Sequence, residues 1–384
     1  MTKRLLFGVT APVSARAFLV GQLGHYVEQG WEVHLVCGDE GLSDFAEQEQ
    51  LAGLHVVPTH RDPSSSDVGS LFGLIRLMRN LRPDATIMST PKMGVLGTLA
   101  ARLARVPTRI YFIWGFRAEG LTGIRRKILV SMERSACRAA THVVSVSPSV
   151  QQILTDEGVC PANKVRVLGF GATNGIDTDR FAVPTREQRQ QARMDFHVDQ
   201  STQVLATIGR VTRDKGLREL PGLWEGIRAS FPDSTLLIAG TPEPSDSQDQ
   251  HALDLLKEMA GVRLLAHVND IPHLLHATDL VLFLSSREGM GQVPLEAGAS
   301  GIPTVAYRVS GVVDTITSGK NGFLCTYPNA EEVLEAATLL LRDPDLRSEM
   351  GKAARDQVVS RYSQERVWAE WDRFLTSTLG TPES

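Results

Sequence analysis

Two carboxylates share one short segment of the chain. The stretch SSREGMGQVPLEAGASGIPTVAYRVSGVVD begins at residue 285 and holds Glu288 and Glu296, with little basic charge nearby to neutralise them. Such a pair can work as a general acid and base, as half of a metal site, or as acceptors for a ligand rich in hydroxyls. Gly289 and Gly291 flank Met290 and leave backbone N–H groups open to a phosphate. Proline suits a first helical turn, so Pro294 places a helix start near Gln292–Pro294. Glu288 then lies in a loop and Glu296 about one turn into the helix, which separates their roles. An ionised carboxylate accepts two hydrogen bonds and can hold the vicinal hydroxyls of a ribose or a hexose. A helix-start acid that only complements the macrodipole would explain either glutamate alone. It does not explain both together with the glycines.

A second group precedes it. In ATIGRVTRDKGLREL, Gly209 and Arg210 follow an apolar strand, and Lys215 and Gly216 open the next helix. Close backbone approach, free helix N–H groups and two cations suit a diphosphate. The alternative is a loop whose basic residues face solvent. The loop GFGATNG (169–175) has the look of a dinucleotide fingerprint, but IDTDRFAVPT after it opens no helix, so that reading is rejected. Two DxD patterns occur, Asp177-Thr178-Asp179 and Asp343-Pro344-Asp345, and the second reads as a helix-start turn.

The elements that must position these residues alternate short apolar runs with helical periodicity. RLLFGV, EVHLVC, LHVVPT, ATIMST, RIYFIWG and HVVSVS read as buried parallel strands between helices such as SLFGLIRLMRNLRPD and GVLGTLAARLARVP. The pattern breaks near 175–180 and restarts with QVLATIGR, STLLIAG, DLVLFLSS and IPTVAY. Two doubly wound α/β domains follow, with ligands expected outside the carboxyl ends of the strands. We place the first at 1–178 and the second at 179–360, with a C-terminal helix at 361–384 packing back towards the first. TPEPSDSQDQ (241–250) reads as an exposed loop.

Composition excludes several classes. The 384 residues are 42% hydrophobic and 22% charged, with net charge -4. Residues 1–178 hold 19 Lys and Arg against 15 Asp and Glu, whereas the remainder holds 21 against 29. The basic first half suits an anionic partner, but the excess is too small for nucleic acid. The four scattered cysteines form no zinc spacing or disulfide framework and fit a reducing cytoplasm. The N-terminus reads as a strand and loop rather than a signal peptide, and no run is long and apolar enough to span a membrane. GIRRKILVSMERSACR sets five basic residues among apolar ones. It reads either as a helix touching anionic membrane or a lipid diphosphate, or as a half-buried helix with a solvated face.

Together, GR…DKG, EGMGQVPLEAGASGIP, DLVLFLSSREG and SGKNGFL resemble the second domain of the family 4 retaining glycosyltransferases, which have the GT-B fold. Seven residues separate the two glutamates, as in that family. STPKMGVLGTLAARLARVPTRIYFIWGFRAEG and ERSACRAATHVVSVSPSV resemble the branch that builds capsular and other surface polysaccharides. The resemblance implies two Rossmann-like domains facing each other across a cleft. It implies that Arg210 and Lys215 bind the donor diphosphate beside Gly209. Glu288 would contact the donor sugar, Glu296 the ribose, and the segment Gly289, Met290, Gly291 and Gln292 would aim amides at the phosphates. Glu288, Arg210 and Lys215 are the candidates for catalysis, and the carboxylates become clamps rather than an acid/base pair. Many members carry a histidine before a glycine in the first domain; here Trp114 precedes Gly115. Ser14, Lys92, Gly115, Arg117 and Glu119 are the acceptor-side candidates.

The expected activity is metal-independent, cofactor-free, retaining transfer from a nucleotide diphosphate sugar, a UDP-sugar, to a lipid-linked saccharide. The enzyme would be cytoplasmic, peripheral at the inner membrane face, and without a nucleic-acid partner. The rivals are a transferase with a small soluble acceptor, a GT-B sugar-nucleotide epimerase, and a non-catalytic nucleotide-sugar-binding protein.

Overall fold

Continuous apolar strands need cover on both faces, and each sheet here receives it from the helices that connect its strands. The computed structural model describes residues 2–59 and 66–380. The chain divides into two units, Met1–Gly175 with Glu365–Ser384, and Ile176–Gln364.

The first unit holds seven parallel strands: β1 (Arg4–Val9), β2 (Glu32–Cys37), β3 (Gly53–Val56), β4 (Ala85–Met88), β5 (Thr108–Ile113), β6 (His142–Ser145) and β7 (Val165–Val167). Their order is β3-β2-β1-β4-β5-β6-β7, so the winding reverses between β1 and β4. Leu6, Val36 and Met88 on the sheet pack with Leu74, Met78, Leu96 and Ala100 from the helices Asp67–Leu81 and Pro91–Leu103. The last helix, Gln364–Leu379, also joins this unit, because its aromatic stripe finds partners here. Trp371 meets Phe112 edge-on at 5.0 Å, and Trp368 Nε1 donates to Asn174 Oδ1 at 2.7 Å.

The second unit holds β8 (Val204–Ile208), β9 (Thr235–Ala239), β10 (Val262–Leu264), β11 (Leu280–Phe283), β12 (Thr304–Tyr307) and β13 (Gly322–Cys325), again all parallel. The order β10-β9-β8-β11-β12-β13 reverses between β8 and β11. That reversal opens a crevice at the carboxyl ends of these two strands. Their amino ends are pinned by one carboxylate. Asp279 accepts from Val204 N at 2.8 Å, from Arg189 Nη2 at 2.5 Å and from Arg193 Nη2 at 2.7 Å. Arg193 is buried, so losing Asp279 would strand its charge at a cost of about 3–5 kcal/mol.

One expectation needs correction. Residues 241–250 are not wholly an exposed loop, because a helix runs from Ser247 to Glu258 with Asp246 as its cap. Asp249 is fully buried and accepts from Arg218 Nε at 2.5 Å. A sequence of Pro, Ser and Asp signals a turn, and here it is the capping turn of the helix.

Among the described residues no helix is long and apolar enough to cross a membrane. All four cysteines are buried and free.

Candidate functional site

The segment after β8 turns sharply and returns against β11. Residues Arg213–Lys215 form a single 3-10 turn that ends at Gly216, whose φ of 86° is left-handed. A Cβ at Gly216 would lie 2.3 Å from Leu284 Cβ, so only glycine lets this turn lie on the end of β11. The contact is fastened by the main chain, since Ser286 N donates to Asp214 O at 2.9 Å.

This packing brings together residues 73 positions apart: Lys215 Nζ is ion-paired with Glu288 Oε1. Lys215 also sits 5.9 Å from the centroid of the Phe283 ring. Glu288, which has only Arg287 as a basic neighbour in its own loop, thus receives a second cation from the turn that follows the adjacent strand β8. Arg210 is half-exposed and reaches two acids, Glu243 at 3.1 Å and Asp214 at 3.7 Å. Beside these cations an open pocket is lined by Thr207, Gly209, Arg210, Lys215 and Ser285. Ser285 Oγ is buried there without a hydrogen-bond partner among the described residues.

Beyond Glu288 the chain passes Gly289, buried Met290 and Gly291 before the helix Gln292–Ala299 begins. Gly311, at φ 72°, supports this loop from the next crossover. A Cβ there would lie 2.8 Å from Glu288 O, and its own carbonyl accepts from Gly291 N at 3.2 Å. Glu296 stands just past the first turn of the helix and is half-buried. Burial pushes its carboxyl up to about 7, against the partial help of Gln292 Nε2, which donates to it at 3.3 Å, and of the Arg180 charge. A carboxyl so placed is short of donors. Both DxD motifs are committed elsewhere. Asp177 Oδ1 accepts from Asp179 N and Arg180 N, and Asp343 caps the helix Pro344–Arg361.

In the first unit, Lys92 opens the helix Pro91–Leu103, is buried, and pairs with Asp67 Oδ1 at 2.6 Å. It lines a second, small cavity with Arg117, Leu129, Met132 and Glu133. Glu133 is buried, accepts from Tyr111 Oη, and is pushed up to about 7 by burial. Trp114 follows β5 directly, packs edge-on against Phe18 at 5.2 Å, and has its Nε1 buried without a hydrogen-bond partner among the described residues. Gly115 and Glu119 follow in the same loop, and Ser14 sits in the short helix Pro12–Phe18.

Two family models account for most of the chain: "Glycosyl transferase 4-like domain" matches residues 16–171, and "Glycosyl transferases group 1" matches residues 188–357. The chain belongs to the family 4 glycosyltransferases. It is similar to the capsular polysaccharide biosynthesis glycosyltransferase CapM of Staphylococcus aureus, 28% identical with both chains covered in full. A UDP-Gal:alpha-D-GlcNAc-diphosphoundecaprenol alpha-1,3-galactosyltransferase of Escherichia coli is 26% identical, over 87% of this chain and 86% of that one. The Anabaena protein HepE, solved with UDP and glucose, has TM-score 0.82 at 20% identity, covering 98% of this chain and all of its own. The fold is GT-B, and the protein is a glycosyltransferase.

Within this glycosyltransferase the geometry of the second unit gathers Gly209, Lys215 and Glu288 where β8 and β11 end, with Arg210 at the rim. Glu296 stands on the helix that the same loop enters. The sequence reading placed Lys215 and Gly216 at the opening of a helix, whereas they close a 3-10 turn and the helix begins only at Leu220. It missed Ser285 and Gly311 as parts of the site, and the one signal for each was its place: a hydroxyl at a strand end and a glycine in a loop.

Proposed function

We propose that the protein is a retaining, metal-independent transferase that moves a sugar from a UDP-sugar to a lipid-linked saccharide of a surface polysaccharide. The observation that carries this reading is the Lys215–Glu288 ion pair at the β8/β11 crevice, one loop away from Glu296. A diphosphate drawn to Lys215 takes over its ammonium, and Arg210 adds a second cation at the rim. Glu288 is then free to accept hydrogen bonds from the donor sugar hydroxyls, while Glu296 accepts from the ribose diol. At the start of the helix Gln292–Ala299 the phosphates would draw on Val293 N, since Gly291 N and Gln292 N already donate to Gly311 O and Met290 O. The two cations offset charge on the departing diphosphate, which is the task a metal would otherwise perform. The acceptor side draws on Ser14, Lys92, Gly115, Arg117 and Glu119. The lipid-linked acceptor is supported by the relatives that match most of the chain, one named for capsule synthesis and one for a diphosphoundecaprenol substrate.

Thermal unfolding with millimolar UDP, GDP, ADP or NAD, in the presence of a chelator, tests the donor site. A ligand at about a hundred times its Kd stabilises by about 2.7 kcal/mol. A rise in Tm with UDP is expected. A shift with GDP or ADP in its place moves the donor to another base, and no shift with any nucleotide overturns the reading.

A further inference from the structure

The helix Gly123–Ala139 buries Val130, Glu133, Ala136, Cys137 and Ala139, and turns its first two turns outward. Ile124 is 71% exposed, Ile128 50%, and Leu121 just before the helix 37%. Ile124 and Ile128 are four residues apart and share one face. One exposed aliphatic residue is ordinary, but three gathered at a helix start form a patch. Arg125 and Lys127 stand among them, exposed and without an ion pair among the described residues. Two other basic residues of this helix are engaged by the following crossover, and Arg138 lies exposed at the far end. Arg126 pairs with Glu157, and Arg134 donates to the carbonyls of Glu157 and Gly158. Unspent positive charge is therefore concentrated on the turns that carry the isoleucines.

A second element repeats the arrangement. The helix Asp67–Leu81 exposes Val68 and Phe72, again four apart, with Arg76 and Arg79 exposed further along. It packs on the helix Pro91–Leu103, which packs on Gly123–Ala139. The Lys92–Asp67 ion pair ties the first two helix starts together. The cavity shared by Lys92, Leu129 and Met132 ties in the third. Exposed apolar residues therefore flank that cavity on both sides. Cations without acids beside hydrophobes without a core match the two layers of one partner, anionic headgroups over hydrocarbon.

We propose that this edge of the first unit docks on an anionic bilayer, with Ile124, Ile128 and Phe72 entering the interface and Arg125 and Lys127 among the headgroups. The inference deepens the lipid-linked acceptor reading and rests on it, since docking brings the cavity to the layer that holds such an acceptor. The purified full chain is sedimented with vesicles of phosphatidylcholine alone and with vesicles of equal parts phosphatidylcholine and phosphatidylglycerol. I124E/I128E and R125S/K127S are compared with wild type. Wild type is expected on the anionic vesicles. R125S/K127S should bind about fivefold more weakly per charge removed, and I124E/I128E about tenfold or more. The Tm rise with UDP, read on the same preparations, should be equal in all three, because the nucleotide groups belong to the other unit. Wild type left in the supernatant with both vesicles, or I124E/I128E bound as tightly as wild type, overturns the docking surface. Vesicle binding without any UDP shift overturns the donor reading instead and leaves the docking surface standing.

Discussion

Nucleotide affinity should rise with pH through neutrality, and Glu296 should be the reason. Its carboxyl is pushed up to about 7 in the empty site because burial outweighs one long hydrogen bond from Gln292. Two ribose hydroxyls supply donors that the ionised form accepts and the protonated form cannot fully use. Binding therefore favours the carboxylate. With a pKa near 7, about one site in eleven is ionised at pH 6 and about ten in eleven at pH 8, so Kd should fall about tenfold, or about 1.4 kcal/mol. Folding runs the opposite way. The folded pKa lies above the unfolded value, so the empty protein carries this stabilisation below about pH 4.5 and loses it as pH rises to about 7. The loss is on the order of 3 kcal/mol. The assay is titration calorimetry with UDP at pH 6, 7 and 8 on wild type and Glu296→Gln. The phosphate of UDP titrates in both proteins and cancels in their difference. Glu296→Gln should bind more weakly at pH 8 by about 1.5–3 kcal/mol, and its profile should lack the wild-type rise. Parallel profiles for the two proteins would refute the argument.

Two further outcomes follow from neighbouring contacts. Glu288→Ala should lower kcat by a factor of a hundred or more, on the order of 3 kcal/mol, yet leave UDP binding unchanged or tighter, since Lys215 loses its internal partner. Weaker UDP binding in calorimetry would contradict the division of roles. Tyr111→Phe removes a donor from buried Glu133, whose folded pKa is about 7. The carboxylate present above pH 7 then lacks a partner, and the neutral acid present at pH 5 needs it less. The loss of stability in urea unfolding should thus be greater at pH 8, by about 1–3 kcal/mol, and an equal loss at both pH values would show that the hydroxyl does not serve the charge.

The parallel strands were legible because burial on both faces leaves an apolar run in the sequence, as in EVHLVC and TLLIA. The start of the glutamate helix was legible because Pro294 fits only an early turn. What the sequence could not show was pairing at a distance. Lys215 and Glu288 meet because β8 and β11 are neighbours at the reversal of the winding, a property of the whole sheet. Arg126 and Arg134 read as part of a basic face, but Glu157 and the carbonyls that engage them lie in the following crossover. Asp249 looked like loop composition because its partner Arg218 is 31 residues away. Local signals place elements, and side chains that close on distant elements become readable only once the topology is known.

The Lys215–Glu288 pair also bears on how the site empties after turnover. In the resting protein each group satisfies the other. On the proposed reading, a whole nucleotide sugar would replace both halves, offering phosphate to the ammonium and hydroxyls to the carboxylate. Once the sugar had left, the remaining nucleotide would occupy the lysine alone, and the half-buried glutamate would have lost both its cation and its hydroxyls. Closing the pair again would relieve that deficit, so the contact that screens the vacant site would also make the spent donor a poorer ligand than the intact one.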